Sequence, residues 1–231
     1  MARLASKPAK NAPRDGETGA DAVARYVRRL VFDGTFSEGQ RLPQDDIANA
    51  IGVSRIPVRE AIIVLEREGW VRVIAHRGAF VNALDEQAVL DRFMLYGRFY
   101  GFAARRAIER MTPDALESLA TLAAHLDKAV SPAVFERTNA RYLSALVHIA
   151  SSNRLIAVLR STTQIVPGNF FAAVPNTMAI QKAGVADLQM AIESGDVASA
   201  ERVFATVENR HAIEVIAMMT DRRCRTPQRG D

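Results

Sequence analysis

The segment from Leu42 to Ala61 constrains this chain more than any other. Pro43 followed by Asp45 and Asp46 places two acids at what would be the positive end of a helix, and Gly52 closes that helix after about two turns. Ser54 then offers an N-cap for a second helix. Pro57 falls in its first turn, where a missing N–H costs little, and Ala61, Ile62 and Leu65 form one apolar face before Gly69 ends it. Two short helices joined by a glycine turn, the second opening on Arg55 and Arg59, are the equipment that enters a DNA major groove.

The flanks extend this unit. Val23, Ala24, Tyr26, Val27, Leu30 and Val31 recur at helical spacing within Asp21–Phe32, and Asp33-Gly34 stops the run. Trp70–Ile74 and Ala79–Val81 read as two short strands joined by Ala75-His76-Arg77-Gly78, a hairpin with a basic tip. Residues 19–83 are therefore expected to form a winged helix-turn-helix. Beyond Leu84 glycine and proline become sparse and no strand-like alternation appears. Helices are expected near 86–110, 113–129, 132–151, 154–165, 177–193 and 197–220, with breaks that include Pro167-Gly168. The fold class is mainly α: the winged unit, then an all-α antiparallel bundle over 84–222. Residues 1–18 read as a disordered arm, or as a basic arm touching DNA backbone, and 223–231 as a polar tail.

Composition sets bounds. The chain has 231 residues, 48% of them apolar, and a net charge of +4. Residues 1–83 hold 13 Lys and Arg against 10 Asp and Glu, so most of the excess lies with the expected DNA-binding part. Phosphate attraction of that size is modest, and geometry must contribute more than bulk charge. The single Cys224 has no internal partner, which fits a reducing cytoplasm. No apolar run approaches the ~18 residues of a membrane span, and the N-terminus lacks a signal-peptide apolar core.

The residues from Val23 to Asn82 resemble the GntR family of bacterial transcription regulators. The resemblance is carried by Gly39-Gln40-Arg41-Leu42, Ile47-Ala48, Gly52 through Ala61, Leu65-Glu66, Glu68-Gly69 and Arg77-Gly78-Ala79-Phe80-Val81. The helical part is similar to the FadR-type effector domain (the FCD group), through Gly101, Ala103-Ala104-Arg105, Thr112-Pro113, Ala150-Ser151-Ser152-Asn153 and Gly195-Asp196. The resemblance implies a homodimer on a palindromic double-stranded operator, with the recognition helix in the major groove and the wing tip in the minor groove. A ligand in the bundle would reposition the winged units.

Arg55 and Arg59 lie four apart on one helix face and are the expected base or phosphate contacts; an Arg grips guanine O6 and N7 bidentately. Ser54 and Pro57 belong to the same reading head. His76, Arg77 and Gly78 make the wing tip, with Gly78 there for turn geometry. Arg41 reads either as a phosphate contact or as a structural partner of Asp45. Glu60 and Glu66 read as solvated or intra-domain ion-pair residues, and Trp70 as a core residue in preference to a base-stacking one.

FCD-type domains commonly hold a metal with one Asp or Asn and three His. Laid on that pattern, with Asn153 and Gly195-Asp196 as anchors, the four positions fall on Ala140, Ser144, Val185 and Val207. Ala and Val cannot ligate, and Ser144 is a poor ligand alone, so no metal or other cofactor is expected there. The position of the family's carboxylate-binding Arg falls on Tyr96, with Tyr100 one turn on. These six residues suggest a pocket for a small apolar or weakly polar effector. The competing reading is that Val185 and Val207 simply close the core. His148 and His211 each lie one turn from a replaced position, so a displaced metal site, with Gln189 or Tyr142 nearby, is the remaining alternative; His125 reads as a surface or dimer residue.

The function these residues point to is ligand-responsive DNA-binding regulation, as a repressor. The alternative is a winged-helix protein-interaction module on a dimeric helical platform with no small-molecule ligand. No nucleophile–base pair or phosphate-binding glycine loop stands out, and an enzyme is not expected.

Overall fold

A computed structural model of the chain describes residues 12–13, 16–83, 85–162 and 169–225. The arm expected over 1–18 falls largely outside these residues. The break at Pro167-Gly168 and the tail beyond Arg225 fall wholly outside them. The chain divides into two compact units, Met1–Leu84 and Asp85–Asp231.

In the first unit α1 (Gly19–Phe32) starts two residues before the expected Asp21, because Thr18 caps it: the Thr18 hydroxyl accepts from the Asp21 N–H at 3.1 Å, and Asp21 reaches back to the Thr18 N–H. α2 (Gln44–Ile51) ends at Gly52, whose φ of 80° only glycine adopts freely. α3 (Arg55–Arg67) follows. Strands β1 (Val71–Ile74) and β2 (Gly78–Val81) pair antiparallel from Val71 opposite Val81 to Ile74 opposite Gly78, and Arg41 adds a bridge to Phe80. Trp70 precedes β1 instead of starting it and is buried. Val23, Val27, Ile47, Val58, Leu65 and Val71 pack as the core, each fully or almost fully buried. Glu68 accepts two bonds from the buried Arg28, Nε at 2.7 Å and Nη2 at 2.8 Å, which fastens the end of α3 to α1.

The second unit comprises α4 (Glu86–Ile108), α5 (Pro113–Lys128), α6 (Pro132–Ala150), α7 (Asn153–Thr162), α8 (Phe170–Ala173), α9 (Thr177–Glu193) and α10 (Val197–Arg225). Two differences from expectation stand out. α8 is a four-residue turn with too few positions to show a period. α10 runs on to Arg225, through the residues read from the sequence as the start of a polar tail. α4 lies close against α10: a Cβ on Gly97 would stand 3.1 Å from the Phe204 carbonyl oxygen, and one on Gly101 3.2 Å from that of Glu201. The core is built from Tyr100, Leu119, Leu126, Phe135, Tyr142, Leu146 and Leu188, among others. Among the described residues, no helix is long and apolar enough to cross a membrane.

Candidate nucleic-acid interface

Ser54 occupies the N-cap of α3, but its hydroxyl makes no capping bond. The first N–H groups of the helix are thus left without a side-chain acceptor, at the end where the helix dipole favours an anion. Arg55 stands beside them, largely exposed. Its Nε lies 2.7 Å from Asp45 Oδ1 and its Nη2 donates to Asp45 Oδ2 at 2.9 Å, so α2 grips one edge of the guanidinium. The terminal edge, Nη1 with the outer hydrogen of Nη2, is left open. Arg59, one turn on, is exposed and has no ion-pair partner among the described residues.

Asp45 therefore pairs with Arg55, not with Arg41. Arg41 lies across the wing: its Nε is 3.1 Å from where a Cβ on Gly78 would stand, and its backbone bridges Phe80. Gly78, at φ 103°, gives both the turn conformation and the room for that side chain. His76, at φ 59°, and Arg77 are exposed at the tip. Glu66 accepts the Val73 N–H at 2.8 Å, tying the wing to α3, while Glu60 is exposed.

Pro57 is half-buried, and a Cβ on Gly19 would come within 3.2 Å of its ring. It packs against the start of α1 with one side of its ring and is part-exposed on the other. Ile56 was missed. It is 69% exposed, between Arg55 and Pro57; on the same helix Val58 and Ile62 are buried, while Ile63 and Val64 are exposed further along. An isoleucine left in water at a helix N-terminus was the available signal.

The bundle residues do not assemble into one pocket. Ala140 and Ser144 are exposed on α6, as is His148; the inward positions are Asn139, Tyr142, Leu143 and Leu146. Val185 and Val207 are buried. A Cβ on Gly184 would stand 2.2 Å from Val207 Cγ2, so α9 and α10 meet closely there. Of the six residues, Val207 alone lines an open groove of about 500 Å³ between α9 and α10, together with Asp187, Met190, Arg202 and Arg210. Tyr96 and Tyr100 do meet, with ring centres 4.7 Å apart, and Tyr100 stacks on Phe204. Burial raises the pKa of both phenols above the ordinary tyrosine value, and the Glu208 carboxylate nearby adds to the effect.

The polar groups inside the unit occupy other positions. Gln181 Nε2 donates to Asn139 Oδ1 at 2.9 Å, and the Tyr142 hydroxyl donates to Gln189 Oε1 at 3.0 Å. His211 is buried, 3.3 Å from the Thr177 carbonyl oxygen and 3.5 Å from Glu208 Oε2. With His148 in solvent and His211 in the core, the two histidines do not share an environment. Among the described residues, no three His, Cys, Asp or Glu side chains converge as metal ligands.

Residues 20–81 match the model of the "Bacterial regulatory proteins, gntR family". The chain carries a GntR-family DNA-binding domain. An uncharacterised HTH-type transcriptional regulator of Mycobacterium tuberculosis is 29% identical over 157 residues, a match spanning 68% of this chain and 64% of that protein's length. Over 90 residues, 39% of this chain and 40% of the other, the identity to the HTH-type transcriptional repressor RspR of Escherichia coli is 29%. Among solved structures, E. coli McbR/YncC shares the fold at a TM-score of 0.63 and 17% identity, over 89% of this chain and 99% of that one. A GntR-family regulator of Pseudomonas syringae gives 0.53 at 22% identity, over 93% and 91%. The GntR domain thus sits on the three helices and wing that hold Arg55, Ile56, Arg59, His76 and Arg77, and the relatives named here are regulators and not enzymes.

Proposed function

We propose that this protein is a transcriptional repressor that binds a palindromic operator as a homodimer and is controlled by a small molecule held in its helical unit. The observation that carries the DNA reading is the exposed start of α3. Arg55 is held there with its terminal edge open, Arg59 follows one turn on, and the helix N-terminus is uncapped. A bidentate arginine reads guanine O6 and N7 in the major groove, and the uncapped N–H groups suit a backbone phosphate. His76 and Arg77 reach the minor groove from the wing. RspR, a named repressor, supports the sign of regulation.

The resemblance to the FadR-type group supports an effector in the bundle. The residues at its metal positions do not fit a metal: two are exposed, two are buried valines, and none is a competent ligand set. The effector reading rests instead on the half-buried Tyr96 paired with the buried Tyr100 beside Glu208, which offers oriented hydroxyls among aromatic rings to a weakly polar ligand.

Selection of bound sequences from a random duplex library, followed by titration at several salt concentrations, tests the function. The expected outcome is a palindromic site and a salt slope of several phosphate contacts, with discrimination lost in Arg59→Ala. Binding without sequence preference would overturn it in favour of a protein-interaction module.

A further inference from the structure

The outer face of α4 carries a pattern that the core of its unit does not use. Gly97, Gly101 and Ala104 are buried on the inner side, where α4 meets α10. The opposite side presents Asp91, Met94, Leu95, Arg98 and Phe102 in one stripe, with Met94 51%, Leu95 56% and Phe102 48% exposed. Arg98 has no ion-pair partner among the described residues, and Asp91 only accepts an amide bond from Gln87. Three large apolar side chains left in water along one helix, flanked by charges of both signs, make a face that water does not stabilise.

We infer that this face is where two copies of the chain pair, α4 against α4 in antiparallel register, with the two-fold axis between Met94 and Leu95. The charges select that register. A parallel pairing would set Asp91 on Asp91 and Arg98 on Arg98. An antiparallel pairing centred on Arg98 would again oppose like charges, and Arg105 is already engaged by Glu109 and Glu201. Centred between Met94 and Leu95, each Asp91 faces the partner's Arg98, and the two ion pairs bracket an apolar middle. Asp91 and Arg98 are seven residues apart, two helical turns and about 10.5 Å, so both stay on one stripe. A surface that meets its own copy about a two-fold axis must be complementary to itself, and this stripe is. The inference rests on the proposal of a homodimer and names the surface that makes it.

The test uses the full chain with Cys224→Ser as background, analysed by sedimentation and by oxidative cross-linking. Met94→Cys and Leu95→Cys should each link two chains efficiently. Phe102→Cys should not, because the two sulfurs would sit about 22 Å apart along the paired helices. Asp91→Arg and Arg98→Asp should each weaken dimerisation on the order of tenfold or more, since each sets two like-charge pairs opposite one another. The Asp91→Arg/Arg98→Asp double variant exchanges the charges and should restore it. These residues are exposed, so circular dichroism should show each variant folded. A dimer that survives both single reversals, or that links through Phe102→Cys and not Met94→Cys, overturns this surface while leaving the homodimer standing. A wild-type chain that is monomeric in solution and on DNA overturns both.

Discussion

Asp45 holds Arg55 by the side edge of its guanidinium, at 2.7 Å and 2.9 Å, and leaves the terminal edge open. Two roles follow from that geometry with opposite consequences. If Asp45 competes with DNA for the arginine, its removal tightens operator binding. If it orients the arginine, removal loosens specific binding while the loss of a negative charge near the phosphates strengthens non-specific binding. The open terminal edge favours the second role, because that edge is the one an arginine presents to guanine O6 and N7. Both side chains are about two-thirds exposed, so the pair adds no more than about 1 kcal/mol to folding. Ordering a free arginine side chain costs up to about 2 kcal/mol, and a pre-existing pair at this exposure removes about half of that, near 1 kcal/mol per half-site. Asp45→Ala should therefore lower the ratio of specific to non-specific affinity by about fivefold per half-site. It should barely change the melting temperature. In an Arg55→Ala background the same substitution should leave the ratio unchanged, since the residue it positions is gone. Fluorescence anisotropy with operator and scrambled duplexes at one fixed salt concentration measures both. Tighter operator binding with undiminished discrimination would refute the orienting role.

Three further outcomes can be measured. Ile56, exposed at the head of α3, can meet a thymine methyl group, so Ile56→Ala should cost about 1 kcal/mol of discrimination at one thymine position and leave salt dependence unchanged; an unaltered base preference would place Ile56 outside the interface. Gly184→Ala should destabilise the protein despite gaining about 1 kcal/mol of helix propensity, because its Cβ would stand 2.2 Å from Val207 Cγ2 and overpacking costs about 1–3 kcal/mol; denaturant melts should show partial rescue by Val207→Ala, and a neutral or stabilised Gly184→Ala would contradict the close approach. Tyr26, Tyr96, Tyr100 and Tyr142 are all raised above 10.0, chiefly by burial, so their neutral forms stabilise the fold fully below pH 10 and that contribution is lost as pH climbs past it; ultraviolet titration should show tyrosinate appearing together with alkaline unfolding, and ionisation of most of the tyrosines at the free value in folded protein would disprove their burial.

The winged unit was legible because its signals are local. Gly52, Ser54, Gly69 and Gly78 mark the ends of elements by backbone conformation, and each element between them is long enough to show its period. What was not legible depends on residues far apart in sequence. The Arg28–Glu68 fork spans 40 positions, and the partner of Asp45 turned out to be ten residues on, not four before. The bundle failed for a different reason. One position along a helix turns the side chain by about 100°, so an alignment anchored at Asn153 that slips by a single residue exchanges the inward Asn139 and Leu143 for the outward Ala140 and Ser144. Family spacing gave the helices but not which face of each looks inward.

Both units separate the groups that hold the fold from those that meet a partner, and they do so on single helices. The back of α3 is fastened by Leu65 in the core, by Glu68 on Arg28 and by Glu66 on the wing, while its front offers Arg55, Ile56 and Arg59 to solvent. α4 repeats the division: Gly97 and Gly101 press it against α10, and Met94, Leu95 and Phe102 are left outside. On the proposed function, a substitution on the outer faces removes contacts made only with DNA or with a second chain, so its cost should fall on recognition. One on the inner faces opens or overfills a packed surface, and its cost falls on stability. The apolar residues in the outward set, Ile56 on α3 and Met94, Leu95 and Phe102 on α4, would be a liability in a monomer that met nothing. Under the proposed function both faces are covered in the working state, by DNA on α3 and by a second chain on α4.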